Sequence, residues 1–269
     1  MRMGQNGVLF VFVILLTMTG FTQAEAEQDK LGVEVDVTWV SKYLWHGFPI
    51  FGDQPAFQPS INLDLYGTGF SIKVWGAFGD ASRVKTYEEL DYTLAYDYRA
   101  FEGADYATDI RFNFIFYDFK QWGIDKHEVG AGFTWPNICP AGIVPGYYVG
   151  CMWPRTHYGT GDGYLQGDAS GFIHVFSLAY DLTVPGFVPD TDEQVLNLTT
   201  DLTYNDGYGA RYGGPTADHD WSHTTFGIAT DFAIGELTFT PAVYYQISMD
   251  KSVNDEDELV TGLSLSYCF

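Results

Sequence analysis

The sequence predicts an all-β fold, a transmembrane antiparallel β-barrel of about 12 strands that follows an N-terminal signal peptide. Three observations lead to this fold class. Apolar and polar residues alternate along most of the 269 residues, tight glycine turns alternate with long polar segments, and the last residue is the aromatic Phe269. We therefore expect a signal peptide over residues 1–26 and a single barrel over residues 27–269.

The N-terminal residues have the pattern of a secretory signal peptide. Arg2 precedes an apolar run from Val8 to Met18, and small residues surround the expected cleavage sites after Ala24 or Ala26. The apolar run is too short to cross a bilayer as a helix, and no run of ~18 apolar residues follows it. The chain is therefore expected to be exported, and strands must make any membrane crossing.

The predicted strands follow one another at hairpin spacing. In the first, Val33, Val35 and Val37 alternate with Glu34, and the same phase continues to Trp45. Most of the segments approach the ~10 residues that a tilted membrane strand needs. The predicted strands cover residues 33–45, 57–65, 70–78, 90–96, 106–116, 128–135, 147–153, 172–182, 196–204, 225–232, 237–247 and 258–269.

The connections between these strands differ in length on the two sides of the barrel. Tight turns at Gly67, Gly103 and Gly235 fall on the side of the termini, which we assign to the periplasm. Segments 136–145 and 183–194 are long for that side. Short periplasmic turns and long outer loops are typical of outer-membrane barrels. The long polar segments on the outer side are 47–55, 80–86, 118–126, 154–170, 205–222 and 249–257.

The last strand shows the alternation most clearly. Leu259, Leu263 and Leu265 share one face, and Ser264 lies on the other. An aromatic last residue resembles the signal that the β-barrel assembly machinery reads, so we expect that machinery to be a partner. In a soluble β-sandwich the same apolar face would be buried against a second sheet. The signal peptide, strand lengths and loop asymmetry favour the membrane interpretation, with outer-membrane lipid and lipopolysaccharide around the barrel.

The membrane interpretation places the polar face of each strand in the lumen. Lys42, Lys73 and Arg111 then either form a charged constriction opposite the lumen carboxylates or only neutralise part of their charge. Tyrosines and tryptophans near the strand ends are predicted to form interfacial girdles, with Trp39, Tyr43, Trp45, Trp135, Trp153 and Trp221 as members. The predicted lumen-lining residues are Asp36, Lys42, Asp64, Lys73, Asp91, Asp97, Asp109, Arg111, Glu128, Asp201 and Asp231.

The charge and the cysteines limit the partners. A formal net charge of −22 argues against nucleic acid and favours cations. Cys139 and Cys151 are disulfide candidates in an oxidising compartment, whereas Cys268 has no evident partner. No His or Cys recurs beside them at ligand spacing, so we expect neither a metal centre nor a cofactor.

The stretch from Ser41 through Tyr43 to Gly47, with Pro55 and Gln58 one loop later, resembles the TorF family of outer-membrane porins. The match is clear over residues 33–80 and covers the remaining chain in outline. The resemblance implies a pore and gives no substrate. The family usually has Arg where His46 stands, and the segment from Cys139 to Cys151 has no counterpart there, so a basic constriction at His46 does not follow from the resemblance.

The function expected from these patterns is passive diffusion of small hydrophilic solutes or ions through the bacterial outer membrane, with a preference for cations. A barrel filled by its own side chains, with a structural or surface-interaction role, is the alternative. An outer-membrane hydrolase would need a nucleophile with a positioned His, such as Ser222 with His223 or Ser41. Adjacent side chains in a strand point to opposite faces, so we expect no enzyme activity.

Overall fold

The computed structural model describes residues 30–79, 87–119, 124–156, 170–187, 191–209 and 217–269, and the predicted signal peptide lies outside them. The strands are β1 (Gly32–Val40), β2 (Leu44–Trp45), β3 (Phe48–Pro49), β4 (Ala56–Asp64), β5 (Phe70–Gly79), β6 (Tyr87–Ala100), β7 (Thr108–Phe119), β8 (Ile124–Thr134), β9 (Val144–Thr156), β10 (Gly171–Pro185), β11 (Glu193–Asp206), β12 (His219–Ala229), β13 (Phe232–Ile234), β14 (Leu237–Ser248) and β15 (Glu258–Cys268). The described residues contain no helix that is long and apolar enough to span a membrane.

Twelve of these strands close into one antiparallel barrel, which confirms the predicted fold class. Each long strand pairs with its neighbours in the chain, and β1 closes the ring by pairing with both β4 and β15. Val35, for example, lies opposite Ile61 on one side and Tyr267 on the other. A closed barrel satisfies every strand edge internally, which a membrane requires. The short β13 pairs only with β14 at the end of the barrel that carries the termini.

The two faces of the strands are as the alternation predicts. Large apolar side chains point outward and remain exposed, as Leu259, Leu263 and Leu265 do on β15. The residues between them, among them Val260 and Ser264, are buried inside the barrel. An apolar exterior around a polar interior is the arrangement of a β-barrel in lipid.

The first outer connection departs from the prediction, because residues 41–55 fold into the barrel. We call this segment the plug hairpin. β1 ends at Val40, and β2 pairs with β3 to form a small hairpin inside the lumen. Tyr43 and Trp45 are therefore buried in the plug hairpin, and their assignment to an interfacial girdle is wrong. Trp39, Trp153 and Trp221 lie on the exposed outer face, where a girdle would be.

The disulfide candidates Cys139 and Cys151 are not joined, since both are free cysteines in the structure. Cys139 lies in the turn before β9, and Cys151 lies well inside that strand. Val144, the first residue of β9, and Cys151 are separated by about 23 Å at ~3.3 Å per residue. A disulfide needs Cα atoms within about 7 Å of each other, so strand geometry keeps the two thiols apart.

Candidate functional site

The plug hairpin is anchored to the last strand at its base. The Ser41 backbone NH donates to the Thr261 carbonyl at 2.8 Å, and the Thr261 NH donates back to Ser41 Oγ at 2.9 Å. Lys42 Nζ contacts Asp53 Oδ1 at 2.6 Å and also donates to Glu258. The hydrogen bond and charge of Lys42 lower the pKa of the Asp53 carboxyl. Lys42 thus joins both ends of the plug hairpin to the barrel wall.

An aromatic core holds the body of the plug hairpin in the outer half of the barrel. The Trp45 ring lies 5.4 Å from the ring centroids of both Tyr117 and Tyr208. Lys126 Nζ lies 4.7 Å from the Trp45 ring centroid, close enough for a cation–π contact. The buried apolar members of the plug hairpin are Tyr43, Leu44, Trp45, Phe48 and Phe51. This half of the lumen is therefore packed like a protein core.

The tip of the plug hairpin is the turn at His46 and Gly47, both with positive φ. A Cβ on Gly47 would lie 2.6 Å from His223 Nδ1, so close packing as well as backbone conformation requires glycine there. His46 is buried, with Nε2 3.9 Å from Glu128 Oε2. Burial, together with the charges of His223 and Lys126, lowers the pKa of His46 to about 3, so the ring is neutral at neutral pH.

Glu128 is fully buried below the tip and is surrounded by tyrosine hydroxyls. Tyr117 and Tyr208 donate to its Oε2 at 3.0 and 2.5 Å, and Tyr148 donates to Oε1. A buried carboxylate is costly unless hydrogen bonds replace its hydration, and these hydroxyls supply them. Alternation along the strand predicts that Glu128 faces inward. It does not predict the tyrosines around Glu128, because they come from three other parts of the chain.

A second pair of carboxylates, Glu89 and Asp91, lies on the wall beside the plug hairpin. They point inward from the same face of β6, and the Tyr43 hydroxyl donates to Glu89 Oε2 at 2.9 Å. Asp91 was predicted to line the lumen and Glu89 was not, because the predicted strand began at Leu90, one residue after Glu89. Extending the alternation backwards by two positions from Asp91 would have identified it.

The inner half of the barrel, nearer the termini, carries charged pairs. Arg99 holds Asp109 through two parallel hydrogen bonds of 2.5 and 2.7 Å. Arg111 Nη1 lies 3.3 Å from Asp97 Oδ2 on the same pair of strands. The arginine and carboxylate side chains of the Arg99 pair are about half exposed. These groups keep contact with water, unlike those beside the plug hairpin.

The remaining predicted lumen residues are spread around the inner surface. Asp36 accepts hydrogen bonds from Thr38 and Ser264, and Lys73 is half-buried nearby on β5. Asp201 lies on the opposite wall, where the Thr203 hydroxyl contacts it at 3.5 Å.

Two of the predicted lumen residues lie at the inner end of the barrel. Asp64 accepts a hydrogen bond from the Gly67 NH at 2.6 Å and fixes a turn. Asp231 follows β12 and accepts one from Thr240 at 2.5 Å. The structure therefore does not bring the predicted residues together as one ring.

Ser222 and His223 do not point to opposite faces, contrary to the sequence-based expectation. Thr203 pairs with His223 and Tyr204 pairs with Trp221, so Ser222 is the extra residue of a β-bulge. Both side chains point inward, with Ser222 Oγ 2.9 Å from His223 Nδ1. They are 0% and 3% exposed under the plug hairpin, and they support its tip. Ser41 Oγ is engaged at the base of the plug hairpin.

No group of three or more His, Cys, Asp or Glu side chains that could hold a metal ion occurs in the part of the chain that the structure describes. The carboxylates are instead distributed as single residues or pairs around the barrel wall.

Comparison with known proteins gives matches to solved structures alone. No family model and no curated protein matches the chain, so the resemblance to the TorF family stays a prediction. The COG4313 outer membrane channel from Pseudomonas putida F1 aligns with a TM-score of 0.53 at 12% identity, over 91% of this chain and 98% of that one.

Two further structures are less similar. The NanC porin gives a TM-score of 0.49 at 11% identity over 87% of this chain and 98% of that one, and LpxR from Salmonella typhimurium gives 0.42 at 10% over 87% and 99%. Both TM-scores are below 0.5, so neither similarity indicates a function for this chain. The closed barrel and its apolar exterior are those of an outer-membrane protein, and the chain is accordingly a β-barrel of the bacterial outer membrane.

Proposed function

We propose that this barrel is a porin-like channel for passive diffusion of small hydrophilic solutes or ions, with the plug hairpin restricting its outer half. The observation that carries the proposal is the exposure of charged side chains on the inward face of β6 and β7, where Arg99 and Asp109 lie at the inner mouth of the closed barrel and Asp97, further in, is still about one-third exposed. A water-lined interior is the physical requirement for passage of hydrophilic solutes. The likeness to an outer-membrane channel over 91% of the chain supports this fold-level interpretation.

The proposal includes a preference for cations. Carboxylates outnumber basic groups among the inward-facing residues, and the chain carries a formal net charge of −22. Carboxylates along a lumen raise the local concentration of cations and lower that of anions. The arginines of the inner half are each paired with a carboxylate, which reduces their attraction for anions.

The test is conductance of the purified, folded protein in a planar bilayer. We expect discrete conductance steps, and a reversal potential in a potassium chloride gradient with the sign of cation selectivity. The same protein denatured before addition serves as the control. A reversal potential with the opposite sign would refute the cation preference while leaving the channel intact.

The packing of the plug hairpin favours a second candidate, a non-conducting barrel with a structural or surface-interaction role. Trp45, Phe48 and Phe51 fill the outer half as a protein core does. A variant in which a glycine–serine linker replaces residues 43–51 separates the two candidates. A channel restricted by the plug hairpin should conduct more strongly in this variant. A variant that folds and remains silent would establish the structural role instead.

A further inference from the structure

We propose that Glu89 and Asp91 form a binding site for a divalent cation at the contact between the plug hairpin and the barrel wall. The two residues are separated by one position on β6, so both side chains leave the same face of the strand. Both are at least nine-tenths buried, at 0% and 9% exposure. Binding of an ion at this site goes beyond the proposed diffusion of solutes, and it can be tested without any measurement of conductance.

The unsatisfied oxygens are the observation that points to a ligand. Glu89 Oε1 and Asp91 Oδ1 are both buried and have no hydrogen-bond partner among the described residues. Glu128, which is equally buried, shows how this barrel satisfies a carboxylate, because tyrosine hydroxyls reach both of its oxygens. Two unsatisfied carboxylate oxygens on neighbouring inward positions therefore need a ligand, and a cation satisfies both oxygens and their charge together.

The charge balance around the pair also favours a cation. Glu89 and Asp91 act on each other, and Glu128 and Asp118 add further negative charge near Asp91. Lys73 and Lys126 offset part of this charge, but each has other partners. Lys126 donates to the Gly209 carbonyl at 3.2 Å, for example. A divalent ion would neutralise the two carboxylates of the pair.

The chemistry of the donors identifies the class of ion. Carboxylate oxygens are the preferred ligands of Mg²⁺ and Ca²⁺, and Mg²⁺ is commonly bound through one or two carboxylates with water completing its shell. Among the described residues two carboxylates contribute to the site, which matches a partly hydrated ion rather than a fully enclosed one. Because Tyr43 donates to the second oxygen of Glu89, the bound ion would also hold the plug hairpin against β6.

Terbium(III) luminescence in detergent tests the proposal without requiring conductance. Terbium prefers oxygen ligands and emits when a nearby aromatic ring is excited. Trp75 pairs with Asp91 across β5 and β6, and its ring lies 5.6 Å from that of Tyr43. We expect tryptophan-sensitised emission from the wild-type protein that Mg²⁺ or Ca²⁺ displaces. The Trp75→Phe variant should lose most of this emission while retaining the site.

The decisive variant is E89Q combined with D91N, which preserves side-chain size and removes both charges. We expect its terbium affinity to fall more than about tenfold, because loss of a group that only supports a metal ligand already costs about 10–100-fold and this variant changes the ligands themselves. Two matched controls should retain wild-type affinity. D201N removes a buried lumen carboxylate that the Thr203 hydroxyl already contacts, and D255N combined with D257N removes charges from an outer loop.

Retention of the barrel is checked by heat-modifiable migration on a gel, and the single D91N variant replaces the double variant if that fails to fold. Equal affinity of the wild-type and D91N proteins would overturn the proposal and assign terbium to the outer loops. Lack of sensitised emission from folded wild-type protein would also overturn the proposal.

Discussion

The outer and inner halves of this barrel satisfy their charged side chains in different ways. In the outer half, Glu128 is fully buried and receives hydrogen bonds from tyrosine hydroxyls. In the inner half, Asp109 is half exposed and pairs with Arg99. Glu128 lies on β8 and Asp109 on β7, which are neighbouring strands with the same alternation. The difference comes from the plug hairpin, which excludes water from one half and leaves the other wet.

Replacing Trp45 by alanine should lower the stability of the protein most, because Trp45 contacts Tyr117, Tyr208 and Lys126 of the surrounding barrel. We expect a loss of about 3–5 kcal/mol in the free energy of unfolding, as for large aromatic residues removed from a core. Urea unfolding in detergent measures it. Trp39→Ala is the matched control, since Trp39 is 40% exposed on the outer face. Equal losses in both variants would contradict a core-like outer half.

The next largest change in stability is expected on acidification, because His46 is buried as a neutral ring. Its pKa is about 3 in the folded protein, compared with 6.5 for an ordinary histidine. Between these values the unfolded chain binds a proton that the folded chain excludes, so stability rises with pH in this window. The stability that depends on a neutral His46 is fully present above pH ~6.5. It is lost as the pH falls toward 3, when the free energy of unfolding decreases by up to ~1.4 kcal/mol per pH unit.

Unfolding measured from pH 7 to pH 4 checks this contribution. The His46→Gln variant should show a shallower loss of stability on acidification than the wild-type protein. His223 remains in both proteins and provides the common background. Identical slopes would show that the ring of His46 takes up a proton in the folded state, and therefore that water reaches the tip of the plug hairpin.

The smallest loss of stability is expected in the inner half of the barrel, where Arg99→Gln breaks an exposed ion pair with Asp109. Such pairs contribute about 0.2–1 kcal/mol, because water and salt screen both charges. Tyr208→Phe is the comparison in the outer half, since it removes one hydroxyl from buried Glu128 at a cost of about 1–3 kcal/mol. Unfolding of both variants at low and high salt is the measurement. A larger effect at Arg99 would reverse the contrast between the halves.

The sequence predicted the barrel well because two kinds of signal agreed. A period of two gives the outward leucines of β15 and the inward position of Glu128, whereas strand lengths and loop asymmetry favoured a closed membrane barrel over a soluble sandwich. The assignment of Tyr43 and Trp45 failed. They continue the phase of β1, and alternation cannot show that the backbone leaves the sheet after Val40 and turns inward.

Two further features of the site could not be predicted from the sequence. One depends on contacts between residues distant in sequence, and the other on a local irregularity of a strand. Three tyrosines converge on Glu128 from different strands and loops, and no spacing rule links them. The β-bulge at Ser222 shifts the register by one residue, which reverses the predicted face of that side chain. Short irregularities of this kind carry no signal in an alternating pattern.

The attachment of the plug hairpin has a consequence for how the protein assembles. β1 is both the strand that meets the last strand and the strand from which the plug hairpin continues. The bonds that tie Ser41 and Lys42 to Thr261 and Glu258 lie at this seam between the first and last strands. Closure of the barrel and docking of the plug hairpin therefore depend on the same set of contacts. In the folded chain, the strand pair that closes the ring also carries the base of the plug hairpin.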